Sequence, residues 1–417
     1  MGRNCPFLLV TRRLNRNKSA FPTFVNPLFD ELCRRPSTRV FMQENMDNSR
    51  KAILLMNLGS PDSTSVKDLR KYLNEFLMDE RVIDIPYVLR SILVKGLIVP
   101  LRAPKSAKAY KSIWTKDGSP LIVLTKQLQA AVQAKTDMPV EIAMRYGNPT
   151  PTEAMDRLKK NHPDLEEVIV VPLYPHYAWS SFETAVVYAQ ELYDKGDYKF
   201  KLRIVKPFYK DNAYIEALAD SMRPYTKDPF DLLVFSYHGI PERHIKKRQA
   251  KGVHDVTSPD HCCTDPVIQE VCYRHQVITT TRLVAEKLGL PPEKYTLSFQ
   301  SRLGRDPWLQ PYTAKSLETW PGKGYKKILL ACPAFVSDCL ETLEEMGEEG
   351  REIFLHNGGE SFTLIPCLNT NAKWVDTVLE LSSGAAAISC LNPACRQNGS
   401  RRCISLVQPC PYNLLAD

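Results

Sequence analysis

Short apolar runs recur along the middle of this 417-residue chain, and between them apolar residues return every three or four positions. Continuous apolar runs of this length are typical of strands buried on both faces of a parallel sheet. The returning spacing is that of one helix face. Helices are predicted at 66–77, 184–192 and 267–288. Strands are predicted at 52–58, 140–144, 168–173, 202–205, 232–235, 295–299, 328–331 and 362–365.

The alternation of strand and helix extends from about residue 51 to residue 380, which favours α/β layers with right-handed crossovers. A break near Pro224 and Pro229 divides it into two comparable halves. The expected fold is therefore α/β, with two Rossmann-like domains whose parallel sheets face a central cleft. The predicted domains are 51–224 and 225–382. Residues 1–50 would be an extension outside the fold, and residues 383–417 an irregular tail.

The amino-acid composition adds little to this prediction of the fold, except at the N-terminus. Hydrophobic residues make up 43% and charged residues 24%, as in ordinary globular proteins. Residues 1–40 hold eight Arg/Lys against Asp30 and Glu31. Such a segment is read either as an organelle transit peptide or as upstream sequence wrongly joined to the gene. No stretch approaches the roughly 20 apolar residues that span a bilayer, and the twelve cysteines are read as reduced and intracellular.

Two predicted strand ends carry residues suited to metal or proton chemistry. His238 and Gly239 follow the strand at 232–235, where open α/β sheets bind their ligands. Asp338, Glu341 and Glu345 follow the strand at 328–331 at spacings of three and four, which places them on one helix face. Taken alone, the histidine could be a satisfied core residue and the carboxylates a solvated acidic face.

Three more segments follow predicted strands and would line a broad, aromatic, partly cationic pocket for a flat anionic ligand. The competing signatures are missing: the chain has no phosphate-binding glycine motif, no zinc-finger cysteine spacing and no basic-aromatic clustering for nucleic acid. The candidate pocket residues are Arg145, Tyr146, Tyr174, Ser180, Ser181, Gln300 and Trp308.

Over residues 51–381 the chain resembles the ferrochelatases, in their bacterial form. The motifs that carry this resemblance are LMNLGSPD at 55–62, RYG at 145–147, YPHY at 174–177, FSYHG at 235–239, QSRLG at 300–304 and DCLETL at 338–343. The resemblance implies an enzyme that inserts Fe²⁺, as substrate, into protoporphyrin IX or coproporphyrin III, releasing two protons at the terminal stage of haem biosynthesis. It makes His238 and Glu341 the catalytic and metal-site pair, with Asp338 and Glu345 extending an acidic row. Which of the pair holds metal and which takes protons stays open.

The resemblance also implies that residues 85–105 form the lip through which family members admit porphyrin and touch membranes; an ordinary buried helix is the alternative. We expect a cytoplasmic enzyme with peripheral membrane contact, or an organelle enzyme if residues 1–50 are a transit peptide. No iron–sulfur cluster is expected, because Val277 stands where a further cysteine would be needed beside Cys262, Cys263 and Cys272, and the tail cysteines have another spacing. The sequence assigns no oligomeric state.

Three other functions are compatible with parts of the pattern. A sister chelatase that loads cobalt or nickel into another tetrapyrrole would share the fold and a similar site. A non-catalytic tetrapyrrole or metal carrier would share the scaffold, and would keep its function without His238. A two-domain glycosyltransferase is disfavoured because the chain has no nucleotide-sugar signature.

Overall fold

Two sheets form the framework of the protein. The computed structural model describes residues 48–248, 269–302, 304, 306–384 and 387–388. All eight predicted strands are confirmed, with ends within three residues of the prediction, and β9 was not predicted. The strands are β1 (Lys51–Gly59), β2 (Val140–Tyr146), β3 (Glu167–Pro172), β4 (Lys201–Val205), β5 (Leu232–His238), β6 (Tyr295–Gln300), β7 (Lys327–Ala331), β8 (Ser361–Leu364) and β9 (Ala387–Ile388).

Helices connect the strands. They are α1 (Val66–Leu77), α2 (Tyr87–Ser91), α3 (Val99–Ile113), α4 (Pro120–Gln133), α5 (Pro151–Asn161), α6 (Thr184–Lys195), α7 (Asn212–Met222), α8 (Glu242–Arg248), α9 (Tyr273–Leu288), α10 (Thr313–Thr319), α11 (Arg351–His356) and α12 (Ala372–Ser383). Segments of π-helix lie at Ile92–Ile98, Trp179–Glu183 and Glu341–Gly350. The helix predicted from 267 begins at Tyr273, because Cys272 is its N-cap.

The order of strands is β2-β1-β3-β4-β9 in the first sheet and β6-β5-β7-β8 in the second. All neighbours are parallel except β4 and β9. The carboxyl ends of neighbouring parallel strands meet at one edge, so β5 and β6 place His238 directly beside Gln300. This confirms the α/β class with two parallel sheets.

One hydrophobic core contains residues of both sheets. Leu55 of β1 and Phe235 of β5 are both fully buried in it, together with Trp374 of α12. Helix α12 contacts α4, α7 and β3, and β9 pairs with β4, so the end of the described chain returns to the first sheet. The division into domains at residues 224 and 225 stays a prediction. The expectations for residues 1–47, and for most of 383–417, lie outside the described residues.

Candidate active site

His238 is the last residue of β5 and is half-buried. Its Nδ1 lies 2.6 Å from the carbonyl oxygen of Gly239. Because a carbonyl only accepts, this contact assigns the hydrogen to Nδ1, and in the neutral ring Nε2 then carries the lone pair. The backbone is fixed as well: the Gly239 N–H donates to the carbonyl of Gln300 at 2.8 Å, and the Tyr273 hydroxyl donates to the carbonyl of His238 at 2.9 Å. The histidine therefore presents one defined nitrogen as a base or ligand.

Glu341 begins the π-helical segment Glu341–Gly350 and is half-buried. Gln300 connects it to the second sheet: its Nε2 donates to the Glu341 carbonyl at 2.8 Å, and its Oε1 accepts from Ser236 Oγ at 2.7 Å. Gln300 is only 3% exposed. This residue, predicted to line the porphyrin pocket, thus joins the strand that carries His238 to the segment that carries Glu341.

Glu345 lies one helical turn beyond Glu341 and accepts from the amide and hydroxyl of Ser301, at 2.8 and 2.5 Å. Burial raises the pKa of Glu345. The bonds from Ser301 and the charge of His238 oppose that rise, and the charge of Glu341 adds to it. The charges of His238 and Glu341 therefore both act on the carboxyl group of Glu345.

Asp338 lies in a different setting from Glu345. Its side chain is buried, and its two carboxylate oxygens accept from Asn369 Nδ2 at 2.7 Å, Thr342 Oγ1 at 3.0 Å and the Cys367 amide at 3.3 Å. These bonds hold the start of the π-helical segment against the loop that follows β8. The structure gives Asp338 a bracing position rather than an open one in the acidic row.

Two tyrosines from the first half of the chain, which the sequence reasoning missed, lie close enough to Glu341 for its charge to act on them. Tyr72 of α1 and Tyr110 of α3 are buried, and burial, together with the charge of Glu341, raises the pKa of both. Tyr72 also donates to the Gly59 carbonyl at 3.2 Å. In the sequence both tyrosines belong to ordinary apolar helix faces, so no signal separates them from core residues.

Arg145 is engaged in a buried network. Its Nη2 lies 2.5 Å from Asp79 and its Nε donates to Thr184 Oγ1 at 2.7 Å, while Tyr146 donates to Asp79 at 2.9 Å. Burial alone would raise the pKa of Asp79, but the charge of Arg145 and the bonds from Thr184, the Arg81 amide and Tyr146 hold it below its ordinary value. Arg145 and Tyr146, predicted to bind porphyrin, are therefore already tied to a carboxylate.

The remaining predicted pocket residues lie in the segments that follow β3 and β6. Tyr174 is buried just after β3, and among the residues described its hydroxyl finds no hydrogen-bond partner. Ser180 and Ser181 are half-buried in the π-helical segment Trp179–Glu183. Trp308 is 9% exposed and packs over Gly239, where an added Cβ would come within 3.1 Å of its ring. Only the two serines among these present partly accessible polar groups.

Within the described part of the chain, no three His, Cys, Asp or Glu side chains converge tightly enough to cage a metal ion. An imidazole nitrogen and carboxylate oxygens can each bind a divalent metal, and a set of fewer than three such ligands would leave coordination positions of the metal open. The cysteines on which the expectation about an iron–sulfur cluster depends lie largely outside the described residues.

A two-sheet α/β scaffold with a histidine and glutamates at the carboxyl edge of its second sheet is the arrangement expected of a tetrapyrrole metal chelatase. The model of the family described as Ferrochelatase matches residues 50–385. The Ferrochelatase of Opitutus terrae is 49% identical over 78% of this chain and 95% of its own length. The Ferrochelatase of Pseudomonas putida is 47% identical over 80% of this chain and 99% of its own. The chain therefore belongs to the ferrochelatase family.

As a member of this family, the protein catalyses the insertion of Fe²⁺ into a porphyrin, a step of haem biosynthesis. A solved structure, SirB from Bacillus subtilis with Fe³⁺, is more distant: it shares 12% identity at a TM-score of 0.43, covering 80% of this chain and 96% of that one. That likeness is too remote to bear on the site.

Proposed function

We propose that His238 and Glu341 perform metal insertion as a pair, with His238 Nε2 as the atom that meets the macrocycle or the metal. The observation that carries this is Gln300, which bonds to the Glu341 backbone and lies beside His238 on the neighbouring strand. Insertion displaces two pyrrole protons, and a neutral imidazole with a free Nε2 accepts one of them. An imidazole and a carboxylate hold Fe²⁺ less firmly than thiolates, so the metal can be surrendered to four pyrrole nitrogens.

In this proposal Glu345 takes part in proton transfer. Its raised pKa brings it closer to sharing a proton near neutral pH than an ordinary glutamate. Asp338 supports the pair through its bonds to Thr342 and Asn369. A pH–rate profile and a melting temperature for each variant test these two roles. Glu345→Gln should move the acid limb of the profile, whereas Asp338→Asn should lower both the melting temperature and the rate.

Ser180 and Ser181 are our candidates for binding the porphyrin propionates, because their hydroxyls are partly accessible beside the buried Tyr174. Arg145 and Tyr146 would not bind the propionates themselves; they would stabilise this part of the site through their bonds to Asp79. The variant Ser180→Ala/Ser181→Ala should raise the porphyrin KM and leave the iron KM unchanged. Equal porphyrin KM values in wild type and variant would refute this assignment.

The native porphyrin is decided by a direct comparison. Anaerobic enzyme with Fe²⁺ is given protoporphyrin IX or coproporphyrin III, and the Soret band is followed for each. The porphyrin with the higher kcat/KM is the substrate. Conversion of neither would contradict the ferrochelatase reaction itself.

Residues 85–105 support a proposal of peripheral membrane contact by a cytoplasmic enzyme. Six apolar side chains there are more than half exposed: Tyr87, Val88, Leu89, Ile92, Leu97 and Leu101. The stretch 85–116 contains seven Arg/Lys and no Asp or Glu, which suits an anionic lipid surface. Across the described ranges, every helix falls short of what crossing a bilayer requires.

Vesicle flotation tests the membrane contact. The wild type should float with vesicles, and Leu89→Ser/Ile92→Ser/Leu101→Ser should not. Replacing Val66, an exposed apolar residue outside this segment, by Ser is the control. Equal flotation of the triple variant and the wild type would rule out the contact.

A further inference from the structure

Arg243 connects its own segment, which follows β5, to two others. Its Nε and Nη2 donate to Asp84 Oδ1 at 2.9 and 2.7 Å, and its Nη1 pairs with Asp306. Asp84 precedes α2 in the entrance loop, which we define as residues 78–86. Asp306 belongs to the loop after β6. Arg243 itself lies five residues after His238.

The Asp84 end of this link is buried. The Asp84 side chain is 3% exposed, and His244 Nε2 lies 3.8 Å from the same oxygen. Arg90 of α2, also buried, donates to the carbonyls of Ile83 and Ile85 on either side of Asp84. Arg90 thus ties α2 to the entrance loop, and Arg243 attaches this loop to the second half of the chain.

The His238 end of the link is stiff. Between His238 and Arg243 the backbone is bonded to neighbouring segments by Gly239 to Gln300 at 2.8 Å, by Leu309 to the Ile240 carbonyl at 3.1 Å, and by Glu242 to the Pro307 carbonyl at 3.0 Å. A displacement of the entrance loop relative to Arg243 therefore changes its position relative to His238.

We propose that Arg243 is a positioning residue, which latches the entrance loop to the His238 strand end through Asp84 and Asp306 and so holds the porphyrin entrance in its binding conformation. The inference rests on the expectation that porphyrin enters beside residues 85–105, whose last part belongs to α3; α3 contacts the segment Glu341–Gly350 of the proposed site. A guanidinium suits this role because its planar fork donates to two partners in fixed directions, which an ammonium does not reproduce.

The expected effect follows from population arithmetic. Loss of the latch lets the entrance leave its binding conformation, and the apparent affinity falls in proportion to the fraction that remains competent. If that fraction falls to about one tenth, the porphyrin KM rises about tenfold. The iron KM and kcat should change by less than about twofold, because His238 and Glu341 keep their own contacts.

The test compares Asp84→Asn, Arg243→Lys, Arg243→Gln and the double variant Asp84→Asn/Arg243→Gln in the full chain. Porphyrin binding is measured by fluorescence titration without iron, and porphyrin KM, iron KM and kcat by turnover. Arg243→Gln should weaken porphyrin about tenfold, Arg243→Lys less, and the double variant no more than the single one. Hydrogen exchange at 83–98 should be faster in each variant. Arg282→Gln, which breaks the exposed Arg282–Glu286 pair, is the matched control.

Porphyrin affinities within twofold of wild type in all four variants would overturn the latch, as would a double variant whose defect is the product of the two single defects. Reduced kcat with unchanged porphyrin affinity would also overturn it, since that is the pattern of general damage. Asp84→Asn preserves side-chain size and Arg243→Lys preserves the positive charge, so these two variants carry the test if Arg243→Gln does not fold. Failure of the wild type to bind porphyrin would instead remove the proposed entrance, and the latch with it.

Discussion

Gly239 occupies a position where a single added methyl group would disturb the site. A Cβ built on it would lie 2.8 Å from the Gln300 carbonyl oxygen and 3.1 Å from Cε3 of Trp308. The carbonyl cannot simply retreat, because it accepts the Gly239 N–H at 2.8 Å. The Gly239→Ala variant must therefore shift the backbone that carries His238.

The size of the effect can be worked from these contacts. Ordinary van der Waals contact begins at 3.4 Å, so the backbone or the Trp308 ring has to yield by roughly half an ångström. Overpacking of this kind typically costs about 1–3 kcal/mol of stability. A misplacement approaching 1 Å at a catalytic group can cost about 10²-fold in rate. We expect kcat to fall roughly 10- to 100-fold in Gly239→Ala.

The assay is steady-state insertion of Fe²⁺ under anaerobic conditions, with thermal unfolding alongside it. Porphyrin binding measured without iron should change far less than kcat. Gly322→Ala is the matched control, because an added Cβ there meets no atom within 4 Å. A kcat for Gly239→Ala within twofold of wild type would refute the reasoning that the position of His238 depends on this contact.

Other predictions concern buried charge and acid stability. Burial lowers the pKa of His176 from 6.5 to about 3. Because the folded-state pKa is depressed, the protein should lose stability as the pH falls from about 6.5 toward 3, by about 1.36 kcal/mol per pH unit or on the order of 4–5 kcal/mol in total. In urea unfolding, His176→Gln should not show this loss, and an equally steep loss of stability in acid in that variant would contradict the assignment. The pKa of Glu345 is raised, so its effect on stability runs the opposite way with pH. The melting temperature of wild type relative to Glu345→Gln should fall as the pH rises from about 4 through that pKa. A difference in melting temperature that does not depend on pH would refute this prediction. In denaturant unfolding, Arg145→Met should lower the free energy of unfolding by about 3–5 kcal/mol, because it leaves the Asp79 charge buried and unpaired. Arg157→Met breaks a more exposed ion pair and should lower it by under about 1 kcal/mol. Similar losses in the two variants would argue against a buried pair at Arg145.

The strands were predictable because a strand buried on both faces has to be apolar along its whole length. The runs at 232–235 and 328–331 needed no other information. The antiparallel pairing of Ala387–Ile388 with β4 was not predictable, because two residues carry no pattern. The π-helical segment at Glu341–Gly350 was also missed, since its hydrophobic spacing resembles that of an α-helix.

Within the site, the sequence offered candidate residues but not their partners. The strand ends at one sheet edge made His238 and Glu341 candidates, and the family resemblance implied that they act as a pair. The pairing of Arg145 with Asp79, 66 residues apart, could not be named. Nor could the burial of Gln300 and Asp338, because long-range packing decides whether a polar side chain faces a ligand or braces a loop.

The most direct test of the account is the rate at which wild type, His238→Ala and Glu341→Ala convert Fe²⁺ and porphyrin to haem, followed at the Soret band without oxygen. His162→Ala and Glu293→Ala, at exposed positions, serve as controls. We expect each site variant to lose most of the wild-type rate while still binding porphyrin, and both controls to keep theirs. Near-normal rates in His238→Ala or Glu341→Ala would contradict the central claim that this pair carries out the insertion.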